Sequence, residues 1–372
     1  MKCGIDVYSS LAERIDSGAR IGLLSHQAAI SADGRTSAQV LRQLLGPRLV
    51  ALFGPEHGFF GQAGPGVKTS FRRHPDWKIP VYSLYGSVRR PTPAMLRKID
   101  TLIVDFSDLG VRCYTYFGTL LYALQACAEA GVRVIVLDRP IPAYPVDGPM
   151  LEPGLESFVA PAAVPMVYAM TPGESALWLD GAVGIGAELE VVKMKGWRRD
   201  RYPASDFIPP SPGIKSTESA AVYAATVFTE ALPAVDCGRD GALAFRLLGA
   251  PWMNGIDVCA ALDRLRHPGV SFSPHRYTPG GGRYAGQELH GIRISVTDIG
   301  KFKPVGTSIS ILSVLGALYG KSRLWEAEGS RPEWFDKLYG NRQTRQELMD
   351  GVAPDAICRG WSRVKFTPKR LY

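Results

Sequence analysis

Short, nearly continuous runs of valine, isoleucine and leucine recur through the first half of the chain, at 20–25, 49–53, 79–84, 101–106 and 133–138. Runs without alternation belong to strands covered on both faces, as in a parallel sheet. Between the last two runs, Phe117, Leu120, Leu121, Leu124 and Ala128 recur at helical spacing. Gly131 follows where a helix would stop. Strand-helix-strand alternation predicts a Rossmann-like α/β domain with a mostly parallel sheet. The second half is less regular. A proline-rich stretch at 208–213 reads as a boundary or crossing loop. Beyond it come helix-like pieces at 219–227 and 305–319, and strand-like runs at 244–248 and 291–296. The expected organisation is a Rossmann-like domain over 1–210 and a smaller α+β domain over 211–372 that packs against it.

Composition narrows the function classes. The chain has 372 residues, 46% hydrophobic and 21% charged, which is ordinary for a globular protein. The net charge of +8 permits acidic partners. The basic residues are scattered in short pairs such as Arg72-Arg73 and Arg198-Arg199, so a nucleic-acid partner is not expected. The six cysteines lie far apart with no CxxC pair, which speaks against a zinc knuckle and for a reducing compartment. No apolar stretch reaches a membrane span, and no apolar signal segment is visible at the start. The expectation is a cytoplasmic protein without membrane insertion; oligomeric state is not legible.

Candidate chemistry gathers at strand ends. Glu56, Asp105, Asp138 and Glu174 all fall at or just past the carboxyl ends of expected strands or at a following helix start. In an open α/β sheet that edge carries the cleft, so the four acids are expected to share one. Glu56 sits beside His57 in a glycine-rich turn that lets the backbone approach a ligand. Thr171-Pro172-Gly173-Glu174 is also a capping box, a structural reading that competes with the catalytic one. The segment from Asp105 to Tyr116 combines Ser107, Asp108, Arg112, Tyr114 and Tyr116, a mixture suited to a sugar: rings stack while polar groups fix hydroxyls. Asp138 and Arg139 could bind substrate or simply pair with each other. There is no phosphate loop, dinucleotide fingerprint, HExxH or GxSxG motif.

These residues carry a family likeness. The chain resembles the NamZ-type exo-β-N-acetylmuramidases. The likeness rests on Phe53-Gly54-Pro55-Glu56-His57-Gly58, Gly110-Val111-Arg112, Tyr114-Thr115-Tyr116, Val136-Leu137-Asp138-Arg139-Pro140 and Met170-Thr171-Pro172-Gly173-Glu174, in order along the chain. It implies a glycosidase that releases N-acetylmuramic acid from the non-reducing end of peptidoglycan fragments, with no metal or organic cofactor. Glu56 is then the catalytic acid, Glu174 or Asp105 the supporting carboxylate, and the substrate's own N-acetyl group an alternative to the latter. Arg112, Arg139 or Arg239 would fork onto the lactyl carboxylate. Several positions depart from the family pattern: His26 replaces asparagine, Ser107 replaces glutamine, Tyr168 replaces histidine, and Glu230-Ala231-Leu232-Pro233 replaces Glu-Gly-Thr-Asn. Two other readings follow from those departures. One is a divergent relative with a changed substrate or reaction in a biosynthetic pathway. The other is a non-catalytic sugar-binding protein.

Overall fold

The computed structural model describes residues 1–8, 18–61, 63–64, 66–67, 72–200, 207–361 and 365–372. Its centre is a seven-stranded sheet built from β1 (Ile21–Ser25), β2 (Leu49–Gly54), β3 (Arg72–Arg73), β4 (Pro80–Ser83), β5 (Thr101–Asp105), β6 (Arg133–Leu137) and, further on, β9 (Leu189–Val192). The spatial order is β3-β4-β2-β1-β5-β6-β9. Every neighbouring pair is parallel except β3 with β4. The chain runs outward from β1 through β2 to β4, then returns to β5 on the other flank of β1. That reversal makes the carboxyl edge around β1, β2 and β5 the place where a crevice opens.

Alternation within the apolar runs explains the sheet. Leu24, Phe53, Leu102, Val104, Val134 and Val136 face one core, while Leu23, Leu52, Ile103, Ile135 and Leu137 face the other. Helices α1 (Gly4–Tyr8), α2 (Ser37–Leu45), α3 (Pro93–Leu96), α4 (Tyr116–Ala130) and α5 (Pro172–Val183) cover the faces. The helix expected before Gly131 is α4, and Gly131 ends it in the left-handed conformation at φ 64°. Thr171 caps α5 with both halves of its capping box formed.

The second half adds a three-stranded antiparallel sheet of β10 (Leu247–Ala250), β11 (Val270–Tyr277) and β12 (Leu289–Val296), ordered β10-β12-β11. Helices α6 (Thr217–Thr226), α7 (Gly255–Arg264), α8 (Pro304–Tyr319), α9 (Ser322–Trp325), α10 (Pro332–Tyr339), α11 (Arg342–Asp350) and α12 (Pro354–Trp361) pack around it. A hairpin of β7 (Asp147–Met150) and β8 (Pro165–Val167) packs against α8 and α12. One apolar core runs from Phe53 and Leu102 through Phe228, Leu248 and Ile292 to Ile309 and Leu315, so the halves are fused rather than hinged on a linker. Among the described residues, no helix is long and apolar enough to cross a membrane.

Candidate active site

The turn after β2 is tight because its residues permit it. A side chain at Gly54 would meet the Phe59 backbone nitrogen at 2.2 Å, so only glycine fits there. His57 takes a left-handed conformation at φ 68°, which is costly for a residue with a Cβ. It is held there by its ring Nδ1, 2.9 Å from the Ala63 carbonyl, and by the Gly58 N–H, which donates to the Pro55 carbonyl at 2.9 Å. This geometry lifts Glu56 above the carboxyl edge of the sheet. The Gly66 N–H donates to Glu56 Oε1 at 3.0 Å, and the Thr115 hydroxyl donates to Oε2 at 2.8 Å. Thr115 precedes α4 but makes no side-chain cap; its hydroxyl serves Glu56 instead. The carboxylate therefore stands at a helix N-terminus, where negative charge is favoured.

Glu56 opens into a cavity of about 540 Å³, within the ~300–1,000 Å³ typical of small-molecule sites. The first half supplies His57, Tyr85, Arg89, Tyr114, Thr115 and Phe158; the second supplies Tyr223, Glu230, Arg239, Phe245, Arg331, Trp334 and Lys337. Glu230 pairs with Arg239, whose guanidinium lies 5.1 Å from the Phe245 ring centre. Burial pushes the Tyr85 hydroxyl up to about 12, and the charge and hydrogen bonding of nearby Glu56 push the same way. A sugar entering this space would meet two carboxylates, several aromatic rings and fixed guanidinium groups.

The other expected acids lie elsewhere. Asp105 is fully buried under Arg139, whose Nη2 donates to Oδ2 at 3.0 Å, and it also accepts from the Ser37 hydroxyl. Asp138 is equally buried and accepts from Thr171 Oγ1 at 2.8 Å, the Gly173 N–H at 2.8 Å and the Tyr372 hydroxyl at 2.7 Å. Burial raises its carboxyl to about 6 against those hydrogen bonds. Glu174 has no exposed surface; it accepts from Arg199 Nη2 at 2.6 Å, the Thr171 N–H at 3.0 Å and the Leu371 N–H at 2.9 Å. Glu56 thus reaches the cavity, while Asp105, Asp138 and Glu174 are enclosed in polar networks beneath the sheet edge. The expectation that the four share one cleft does not describe this arrangement, because each enclosed acid meets a distant partner that folding brings to it.

The remaining expected residues divide in the same way. Tyr114, His57 and Arg239 line the cavity. Arg112 does not: it is fully buried and donates to the carbonyls of Pro149 at 3.2 Å, Val164 at 2.6 Å and Tyr339, tying the segment after β5, the β7–β8 hairpin and α10 together. Asp108 accepts from the Leu109 and Gly110 N–H groups and from the Tyr168 hydroxyl, and burial pushes its carboxyl up to about 7. His26 accepts the Ser107 N–H on Nε2 at 3.0 Å, so its Nδ1 carries the proton that goes to the Pro210 carbonyl at 3.1 Å. Burial, helped by the Arg139 charge, lowers His26 to about 3, which keeps it neutral. Tyr116 donates to Pro210 O at 3.1 Å and lies 3.4 Å from the Glu56 carbonyl, buttressing the turn that carries Glu56. Ser107 and Arg139 border a separate cavity of about 410 Å³. Sequence reasoning missed Tyr85, Arg89, Thr115, Phe158, Tyr223, Glu230, Phe245, Arg331, Trp334 and Lys337 as cavity residues. Tyr85 and Thr115 lie inside stretches that carry the family likeness, Tyr85 in Val81-Tyr82-Ser83-Leu84-Tyr85-Gly86, and Glu230 lies at a noted departure; the others carry no local signal. Among the described residues, no group of three His, Cys, Asp or Glu could hold a metal ion.

A mostly parallel α/β sheet that delivers a hydrogen-bonded carboxylate into a cavity with a second carboxylate, aromatic rings and arginines has the groups a glycosidase site uses. A family model described as exo-β-N-acetylmuramidase NamZ, N-terminal, matches residues 21–218, and its C-terminal counterpart matches 221–366. The chain belongs to the NamZ family of exo-acting glycosidases. A relative from Bacillus subtilis (strain 168), named peptidoglycan β-N-acetylmuramidase NamZ, is 36% identical over 371 residues, covering 98% of this chain and 88% of that one. The fold is shared with the crystal structure of a DUF1343 family protein from Bacteroides fragilis NCTC 9343, at TM-score 0.90 and 30% identity over 97% of this chain and 94% of that one. A second DUF1343 structure from the same organism gives 0.76 at 25% identity, with the same coverage.

Proposed function

We propose that this protein releases N-acetylmuramic acid from the non-reducing end of peptidoglycan fragments. The observation that carries the reading is Glu56, held by Thr115 and Gly66 at the cavity that both halves of the chain line. In its protonated form Glu56 gives its proton to the glycosidic oxygen as the bond to the anomeric carbon breaks; water then bonds to that carbon, and the proton it loses restores the acid form of Glu56, directly or through solvent. Glu230, the other carboxylate of the cavity, offsets the positive charge that grows on the sugar ring, with Arg239 fixing its position. Of the three arginines expected to meet a lactyl carboxylate, Arg239 is the one in the cavity, and its fork matches that group. Glu174 and Asp105 are assigned supporting roles, as anchors of α5 and of Arg139. A place in the cytoplasm, recycling imported fragments, is supported by six free cysteines, four of them buried.

The test is a chromogenic N-acetylmuramic acid glycoside offered to the wild type and to Glu56→Gln. The wild type is expected to turn over, and the variant to lose at least about a hundredfold in kcat. A wild type that binds muropeptides without ever forming product would make it a sugar-binding protein. A Glu56→Gln enzyme as active as wild type would remove Glu56 from the mechanism.

A further inference from the structure

We propose that the cavity mouth is a binding site for carboxylates on the leaving fragment, formed by Arg89, Arg331 and Lys337; this rests on the activity proposed above. Three observations converge on it. First, all three side chains line the cavity and all three residues are exposed, so they stand at its opening rather than its floor. Second, among the described residues no carboxylate pairs with any of them. Arg331 reaches only the Glu230 backbone carbonyl, at 2.6 Å, while the Glu230 carboxylate is taken by Arg239. Other exposed arginines do find acids, as Arg20 does with Asp100 and Arg342 with Glu152. Third, two of the three are held on aromatic rings. The Arg89 guanidinium lies 4.8 Å from the Phe158 centroid, and that of Arg331 lies 5.7 Å from Trp334. A ring beneath the guanidinium leaves its edge free to fork onto a carboxylate. Lys337 follows Trp334 by three residues on α10, so the two share a helix face.

The direction of the substrate decides what these cations read. Glu56 must face the glycosidic oxygen, which puts the released sugar inside and the leaving fragment outward. The three cations come from both halves of the chain and frame that exit. A fragment with carboxylates beyond the first leaving sugar matches them; a disaccharide has none there. The carboxylates can belong to the lactyl group of the next muramic acid or to its stem peptide.

The experiment compares kcat/KM on three substrates: the N-acetylmuramyl–N-acetylglucosamine disaccharide, the tetrasaccharide repeat of it, and that tetrasaccharide carrying a stem peptide on its inner muramic acid. An exposed ion pair changes affinity by roughly one- to fivefold, so the wild type should favour a longer substrate by about fivefold at low salt. The preference should shrink at high salt, where the screening length falls to about 3 Å at 1 M. The triple variant Arg89→Gln, Arg331→Gln, Lys337→Gln should bring the long-to-short ratio close to one. A gain already present on the bare tetrasaccharide assigns the carboxylate to the lactyl group, and a gain confined to the peptide-bearing one assigns it to the stem. Equal kcat/KM on all three substrates, or a preference that survives the triple substitution, overturns the inference and leaves the activity standing. No turnover of any substrate overturns the activity itself.

Discussion

Replacing Glu174 by glutamine should weaken the fold and spare the chemistry. The Glu174 carboxylate is completely enclosed, and the Arg199 guanidinium reaches both of its oxygens at 2.6 Å. Arg370 stands 3.5 Å away, and the N–H groups of Thr171 and Leu371 donate at 3.0 and 2.9 Å. Glutamine keeps one acceptor oxygen but removes the charge and turns an N–H₂ toward groups that donate. Breaking a fully buried pair costs about 3–5 kcal/mol. Here the arginine side chains keep 26% and 34% of their surface exposed, so water can take them back. That places the loss nearer ~2–3 kcal/mol, of which about 1 kcal/mol reflects the weakened cap of α5. Urea denaturation of both proteins measures it, and kcat/KM corrected for the folded fraction should stay within about threefold of wild type. A variant as stable as wild type but inactive would refute this reasoning and return Glu174 to the chemistry.

Thr115→Val removes the hydroxyl that positions Glu56 through Oε2; a hydrogen bond to a neutral group contributes about 0.5–1.5 kcal/mol, so steady-state kinetics should show a loss of roughly two- to tenfold in kcat/KM, and an unchanged value would mean Glu56 needs no such anchor. Arg112→Met leaves three backbone carbonyls without their donor; thermal unfolding should show a loss of several kcal/mol, and a stable variant would deny Arg112 its role as the tie between the halves. Asp108 tests pH dependence. Its folded pKa, about 7, lies above the unfolded value of about 3.9, so the protein is favoured while the group is protonated. That contribution is complete below about pH 4 and is lost as pH rises through 7. Asp108→Asn, which cannot ionise, should therefore gain stability relative to wild type as denaturation is repeated from about pH 4 to 8; parallel curves would count against the shift.

How much was legible can be judged from individual elements. The runs at 101–106 and 133–138 became β5 and β6 because unbroken apolar sequence has few other uses in an α/β chain. The strand expected at 244–248 forms at Leu247–Ala250, shifted because Phe245 takes a left-handed conformation at φ 64° that no ladder accommodates. The turn that carries Glu56 was legible because its signal is local: Gly54, His57 and Gly58 announce a turn that needs their special backbone conformations. Glu174 and Asp105 were placed at the correct strand and helix ends, yet sequence could not show that Arg199, Arg370 and Arg139 would enclose them. The burial of an acid depends on partners separated from it by 25 to 197 residues along the chain, and composition does not reveal such pairings. The far wall of the cavity was invisible for the same reason. Glu230, Arg331 and Trp334 acquire meaning only when the second half folds against the first.

The most direct measurement is a crystal structure of the Glu56→Gln variant with N-acetylmuramyl–N-acetylglucosamine bound. The disaccharide should lie between Thr115 and Arg239, with its glycosidic oxygen within about 3.2 Å of the substituted side chain. A disaccharide seated instead in the separate cavity beside Ser107 and Arg139, with the side chain at position 56 out of reach of the scissile bond, would contradict the assignment of Glu56 as the acid.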